Sequence, residues 1–177
     1  MLLERLGLSF TTVAPNVDER SVQLPPVELS RELARRKALD VAHRYPNAVV
    51  IGSDQVPALD NTILTKPGSI ERAVDQLELL SGRTHQLITS VCIAYESHDE
   101  THTDIHRLTM RRFERPALLD YVHRDQPLDC AGAYKIESLG IALMEAIEGD
   151  DFTAITGLPL IATIALLAKA GIQVFQS

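Results

Sequence analysis

The chain is short of cysteine, of basic residues and of long apolar runs, and each shortage removes a class of function. Its two cysteines, Cys92 and Cys130, lie far apart and form neither a CxxC pair nor a zinc-ligand spacing. Both are expected to be buried thiols in a reducing cytoplasm. Lysine and arginine number 17 against 24 aspartate and glutamate, for a formal net charge of −7 and a pI near 5.3. That balance argues against non-specific binding along a nucleic-acid backbone, which needs a surplus of cations. One local cluster of cations still suffices for a small phosphorylated molecule. No apolar segment approaches the roughly 20 residues needed to span a bilayer, and Met1 is not followed by a basic region and an apolar core. The expectation is a cytoplasmic protein with no membrane and no nucleic-acid partner. The oligomeric state is left open, a homodimer included.

Familiar catalytic signatures are also missing. There is no GxSxG elbow, no P-loop, no GxGxxG fingerprint and no HExxH pair, so those readings have no anchor. No internal repeat or low-complexity segment is found.

What is present is enough for one core: 177 residues, 45% of them hydrophobic, make a single domain over 1–177 the default. Leu2, Leu3, Leu6 and Leu8 have near-helical spacing and Gly7 supplies a stop, so the opening reads as the end of a helix entering a strand at Phe10 to Val13. From Glu28 to Arg44, Leu29, Leu33, Ala34, Ala38, Val41 and Ala42 share one face, which predicts an amphipathic helix ended by Pro46. Ala48 to Ile51, bounded by Pro46 and Gly52, predicts a strand buried on both faces. A strand-like Thr62 to Thr65, a helix over Ile70 to Leu80 and a strand over His85 to Tyr95 follow. His98 to Thr103 reads as a polar hairpin loop leading into a return strand through Phe113. Short helices are expected over Pro116 to His123 and, interrupted by Gly157 and Pro159, over Ile155 to Ala170. Interleaved strands and helices favour an α/β layered fold.

The sharpest local signal is Val49-Val50-Ile51-Gly52-Ser53-Asp54-Gln55. A carboxylate just past the C-terminal end of a buried strand lies where open α/β sheets place ligands, so Asp54 is the first catalytic candidate, with a strand-end Asx turn as the bland alternative. Lys66-Pro67 follows the Thr62 to Thr65 strand, where the lysine either aims at the same sheet edge or is simply solvated. Asp18-Glu19 and the helical run Arg35-Arg36-Lys37 add carboxylates and cations that would suit magnesium and a polyphosphate. An exposed acidic pair and a solvated helical charge run are the alternatives. His98, His102 and His106 have the i, i+4, i+8 spacing of a helical metal site. They fall in a segment whose Thr101, Thr103 and Ile105 favour extended structure, so a solvated hairpin is the stronger reading.

Seven blocks, taken in order, resemble the Maf family. They are Val17-Asp18-Glu19, Leu33-Ala34-Arg35-Arg36-Lys37-Ala38, Ile51-Gly52-Ser53-Asp54-Gln55, Lys66-Pro67, Leu80-Ser81-Gly82, Cys130-Ala131-Gly132-Ala133-Tyr134-Lys135 and Gly157-Leu158-Pro159-Leu160. The resemblance implies a mixed twisted sheet flanked by helices with a nucleotide-binding cleft, similar to the inosine-triphosphate pyrophosphatases. It implies metal-dependent hydrolysis of a nucleoside triphosphate to the monophosphate and pyrophosphate, with magnesium or manganese. Asp54 matches the family's proton acceptor, and Glu19, Lys37 and Lys66 match its charged active-site positions; Asp54 and Glu19 are the implied metal ligands. Gln55 and Glu137 resemble the branch that hydrolyses 7-methyl-GTP, where the dTTP/UTP branch has Thr and Gln. Family members open with a strand and a Ser-x-Ser-x-Arg-Arg phosphate-binding turn, and Met1-Leu2-Leu3 begins just beyond where that turn would end. The uncapped opening helix suggests the same. The favoured expectation is a start lying upstream; the alternative is a nucleotide-binding regulatory protein with little or no turnover.

Overall fold

The structure is a computed structural model that describes residues 2–175. Among these residues the elements run α1 (Pro26–Arg44), β1 (Val50–Leu59), β2 (Thr62–Ile63), α2 (Ile70–Leu80), β3 (Thr84–Tyr95), β4 (His98–Met110), α3 (Arg115–Asp125), β5 (Met144–Glu148) and α4 (Leu160–Lys169). The sheet order is β2-β1-β3-β4-β5, so the expected α/β fold is present. β1 and β2 pair antiparallel, with Ala58 opposite Ile63. β4 and β5 also pair antiparallel, and a bulge between Thr109 and Met110 shifts their register. The chain divides into two compact units, changing from one to the other after Gln55, Ile88, Asp104 and Asp150.

In the first unit the period-2 alternation of β3 sorts its side chains between two cores. Cys92 and Ala94 pack with Ala34, Ala38 and Val50 beneath α1. Val91 and Ile93 pack with Leu166 and Leu167 of α4. Both faces of this part of the sheet are therefore covered, which is why residues 49–51 and 91–94 read as continuous apolar runs. Helix α4 starts where the sequence supplies capping oxygens: Leu160 N–H donates to Thr153 Oγ1 at 2.8 Å and Ile161 N–H to Asp151 Oδ2 at 2.7 Å.

The second unit has its own core, in which Ala73, Val74, Leu77 and Leu80 of α2 are buried, as are Leu118, Tyr121 and Val122 of α3. α2 and α3 pack on each other. Ser69 caps α2 by accepting the Arg72 N–H at 3.3 Å.

Several boundaries differ from those expected. The opening is a short 3-10 helix, Leu3–Leu6, with no side-chain cap at Leu2; Gly7 ends it in the left-handed conformation (φ 67°). Met1 lies outside the described residues, and Phe10 to Val13 joins no sheet ladder. β1 is ten residues long, so Asp54 lies inside the strand instead of beyond its end. Polarity did not stop the strand because Ser53, Asp54 and Gln55 all find hydrogen-bond partners. The hairpin turn is the two residues Glu96-Ser97, with Glu96 left-handed at φ 51°, and His98 already belongs to β4. The terminal helix is split, as Gly157 and Pro159 suggested, into a 3-10 turn (Ala154–Thr156) and α4. Cys92 is buried, but Cys130 is only half-buried; both are free thiols.

One buried group makes acid stability predictable. His85 is 1% exposed. Its Nε2 lies 2.8 Å from Tyr134 OH, and its Nδ1 has no hydrogen-bond partner among the described residues. Burial pushes its pKa down to about 4. Unfolded histidine titrates near 6.5, so the stability held by neutral His85 is complete above about pH 6.5 and drains away as pH falls toward 4. At about 1.36 kcal/mol per unit, the loss is on the order of 3 kcal/mol. Melting curves taken from pH 7.5 to 4.5 should fall less steeply for His85→Gln than for the native chain; parallel curves would show that His85 does not carry the effect.

Candidate functional site

The site begins with how closely α1 sits on β1. A Cβ placed on Gly52 would lie 2.5 Å from both the carbonyl oxygen of Ala34 and the amide nitrogen of Ala38, so only glycine lets helix and strand approach this far. Ala34 and Ala38 are fully buried at the crossing. The same approach brings Ser30 Oγ to 3.1 Å from the Asp54 carbonyl oxygen and 2.8 Å from Ser90 Oγ. One turn beyond Ala34, it carries Lys37 to Asp54.

Lys37 Nζ donates to Asp54 Oδ1 at 2.6 Å and contacts Glu19 Oε1 at 2.7 Å. Side-chain exposure rises outward through the group, from 9% at Asp54 to 20% at Lys37 and 53% at Glu19. Glu19 starts a 3-10 turn whose preceding residue, Asp18, accepts the Arg20 N–H on its side chain at 3.2 Å. Asp18 is thus a capping residue that presents its neighbour. Arg35 and Arg36 are taken by Asp99 and Glu32, so of the three basic residues in this run it is Lys37 that serves the cluster.

Burial raises the pKa of Asp54, aided by the Glu19 charge and opposed by the bond from Lys37. For Lys37, burial pulls the pKa down, but its bonds to Asp54 and Glu19 outweigh that and leave it raised. The result is a lysine held as a cation beside a carboxylate whose proton affinity is increased. That is the combination needed to take a proton from water next to a polyanion.

Gln55, the next residue, points into a different set of contacts. Its Nε2 donates toward Thr89 Oγ1 at 2.9 Å and the carbonyls of Ala154 and Ile155 at 2.9 and 3.1 Å. Thr89 also donates to Ala154, and Ser53 Oγ lies 2.8 Å from the carbonyls of Ser90 and Gly157. Together these fix the 154–157 turn to the sheet. Threonine at position 55 is too short to make the same reach. Asp151 completes the framework: 3% exposed, it accepts from Thr153 N and Oγ1 and from Ile161 N. Sequence reasoning passed over Ser30, Ser90, Thr89 and Asp151. Only Asp151 carried a usable signal, an acidic residue followed by Thr153 ahead of a helix.

Lys66 and Glu137 belong to the second unit. Lys66 is exposed, makes no ion pair among the described residues, and lines a shallow depression of about 330 Å³ with Thr65, Pro67, Arg72, Asp75, Gln76 and Leu79. Glu137 is exposed and makes no hydrogen bond among the described residues.

No group of three or more His, Cys, Asp or Glu among the described residues could hold a metal. Glu19 and Asp54 therefore offer two carboxylates that meet on one ammonium. That donor set fits magnesium or manganese, which take a few carboxylates and fill the remaining positions with water and phosphate oxygens; it does not fit a closed zinc site. His98, His102 and His106 lie on strand β4, where a spacing of four places neighbours about 13 Å apart, and only His106 is buried. They share no ion.

The sequence of this chain matches the family profile described as "Maf-like protein" over residues 1–170. A protein of Syntrophotalea carbinolica named 7-methyl-GTP pyrophosphatase is 41% identical over 177 residues, covering 98% of this chain and 90% of its own. Proteins of the same name from Pseudomonas putida and Bordetella pertussis are 40% and 44% identical, covering 98% and 97% of this chain and 92% and 87% of theirs. With the family profile matched over residues 1–170 and similarity to these proteins running along almost the whole length, the chain belongs to the Maf family.

Proposed function

We propose that this chain is a nucleoside triphosphate pyrophosphatase that hydrolyses 7-methyl-GTP to 7-methyl-GMP and pyrophosphate, acting as one domain. The observation that carries the proposal is the bridging of half-buried Asp54 and exposed Glu19 by Lys37. The relatives named 7-methyl-GTP pyrophosphatase support the substrate.

In this reading Asp54 accepts a proton from water while the water oxygen bonds to the α-phosphorus. The α–β anhydride bond breaks and its electron pair leaves with pyrophosphate. Lys37 and Lys66 offset triphosphate charge. Asp54 and Glu19 would hold a divalent cation, which would neutralise phosphate oxygens when bound. Gln55 shapes the pocket by holding the 154–157 turn. Glu137 accepts from the N1 and N2 donors of the base and offsets the positive charge that N7 methylation places on guanine. The setting is the cytoplasm, consistent with free thiols at Cys92 and Cys130; no helix among the described residues is long and apolar enough to cross a membrane.

The test is product formation. Purified protein with 7-methyl-GTP and magnesium or manganese should release one pyrophosphate per 7-methyl-GMP. Binding of the nucleotide with no release would favour a regulatory protein instead. Glu137→Gln should reduce the preference for 7-methyl-GTP over GTP by about tenfold, the equivalent of one good polar base contact. An unaltered substrate ranking would remove Glu137 from base recognition.

A further inference from the structure

Glu137 makes no hydrogen bond or ion pair among the described residues, yet the backbone on either side of it is tightly held. Before it, Lys135 N–H donates to Tyr121 OH at 3.1 Å, and Lys135 Nζ donates to the Asp125 and Gln126 carbonyls at 2.9 and 3.1 Å. After it, Ser138 Oγ donates to Asp125 Oδ1 at 2.6 Å. Tyr121 OH in turn donates to Asp125 Oδ2 at 2.9 Å. The segment closes on itself as well, for the Ser138 and Gly140 N–H groups both donate to the Lys135 carbonyl. A Cβ on Gly140 would lie 2.4 Å from that oxygen, so the turn is too tight for any side chain there.

The carboxylate of Asp125, at the end of α3, is thus the common acceptor for one anchor in front of Glu137 and one behind it. Lys135 serves the same end of the helix differently, satisfying the last carbonyls of α3 and opposing the negative end of its dipole. Burial raises the pKa of Tyr121, so its hydroxyl stays protonated and can donate to Asp125 while accepting from Lys135.

We infer that Asp125 and Tyr121 are positioning residues for base selection, holding the Lys135–Ser138 turn so that the Glu137 carboxylate is presented at a fixed place. A free side chain can discriminate between two bases only if its backbone is not also free to move, because each ordering step forfeits affinity. The inference rests on the base-recognition role proposed for Glu137 and extends it to residues that never touch the nucleotide.

The experiment is a double-mutant cycle read as the ratio of kcat/KM for 7-methyl-GTP to that for GTP. Asp125→Ala should lower this ratio by about fivefold or more through KM for 7-methyl-GTP, with kcat for GTP within about twofold. In a Glu137→Gln background the same substitution should leave the ratio unchanged, since there is no carboxylate left to position. Tyr121→Phe and Ser138→Ala each remove one of the bonds, keep the test available if Asp125→Ala does not fold, and should each lower the ratio by a smaller amount. If Glu137→Gln alters the ratio while Asp125→Ala, Tyr121→Phe and Ser138→Ala do not, the positioning role is wrong and the base-recognition role stands. If Glu137→Gln itself leaves the ratio unchanged, the underlying role fails first. Equal loss on both nucleotides would show that the network serves only folding.

Discussion

Asp54→Asn is expected to fold and to lose hydrolysis by about 10²- to 10⁴-fold, the range associated with removing a positioned general base. Asparagine keeps the size of the side chain, and its carbonyl oxygen can still accept from Lys37. Lys37 also retains Glu19 at 2.7 Å, so no cation is stranded in the interior, and the ladder bonds of β1 do not depend on the carboxylate. The melting temperature should therefore move by only a few degrees. What disappears is the group whose proton affinity burial has raised. Hydrolysis at the native rate would remove Asp54 from the reaction; loss of rate together with loss of fold would show that its charge is needed for structure instead.

Gly52→Ala should have the largest structural effect of any single methyl addition in the first unit. The added carbon would meet backbone atoms of α1, not the end of a flexible side chain, so the helix itself has to move. Overpacking of this kind typically costs about 1–3 kcal/mol, or roughly 3–10 °C in a chain of this size. Because α1 carries Lys37 and Ser30, displacement should also break the 2.6 Å bond to Asp54 and lower turnover well beyond what partial unfolding explains. Thermal melting combined with activity measured far below the midpoint separates the two effects. A variant with native stability and native activity would show that the close approach is not required.

The two substitutions also show which parts of the site could be read without coordinates. Asp54, Glu19 and Lys37 stand out as charges beside an apolar strand or on a helix, and the structure brings all three within hydrogen-bond reach. Gly52 was legible only as a strand boundary, because its role depends on a helix that lies 14 or more positions earlier in the chain. β1 was read too short for a related reason. Ser53 and Gln55 interrupt the apolar pattern, and the groups that satisfy them, on β3 and in the turn at 154–157, lie 34 to 104 residues away. Helix α2 was placed correctly because its apolar face and its stop at Ser81-Gly82 are both local. The network around Asp125 could not have been found in this way. Its donors come from α3 and from a turn ten or more residues later, and neither the Tyr121 nor the Ser138 hydroxyl carries a pattern of its own.

The most direct test of the account follows one oxygen atom. Hydrolysis of 7-methyl-GTP in water enriched in oxygen-18 should place the label in 7-methyl-GMP and leave the pyrophosphate unlabelled, since Asp54 is assigned to water attacking the α-phosphorus. Label in pyrophosphate or release of orthophosphate would contradict that assignment, as would native labelling and rate in Asp54→Asn.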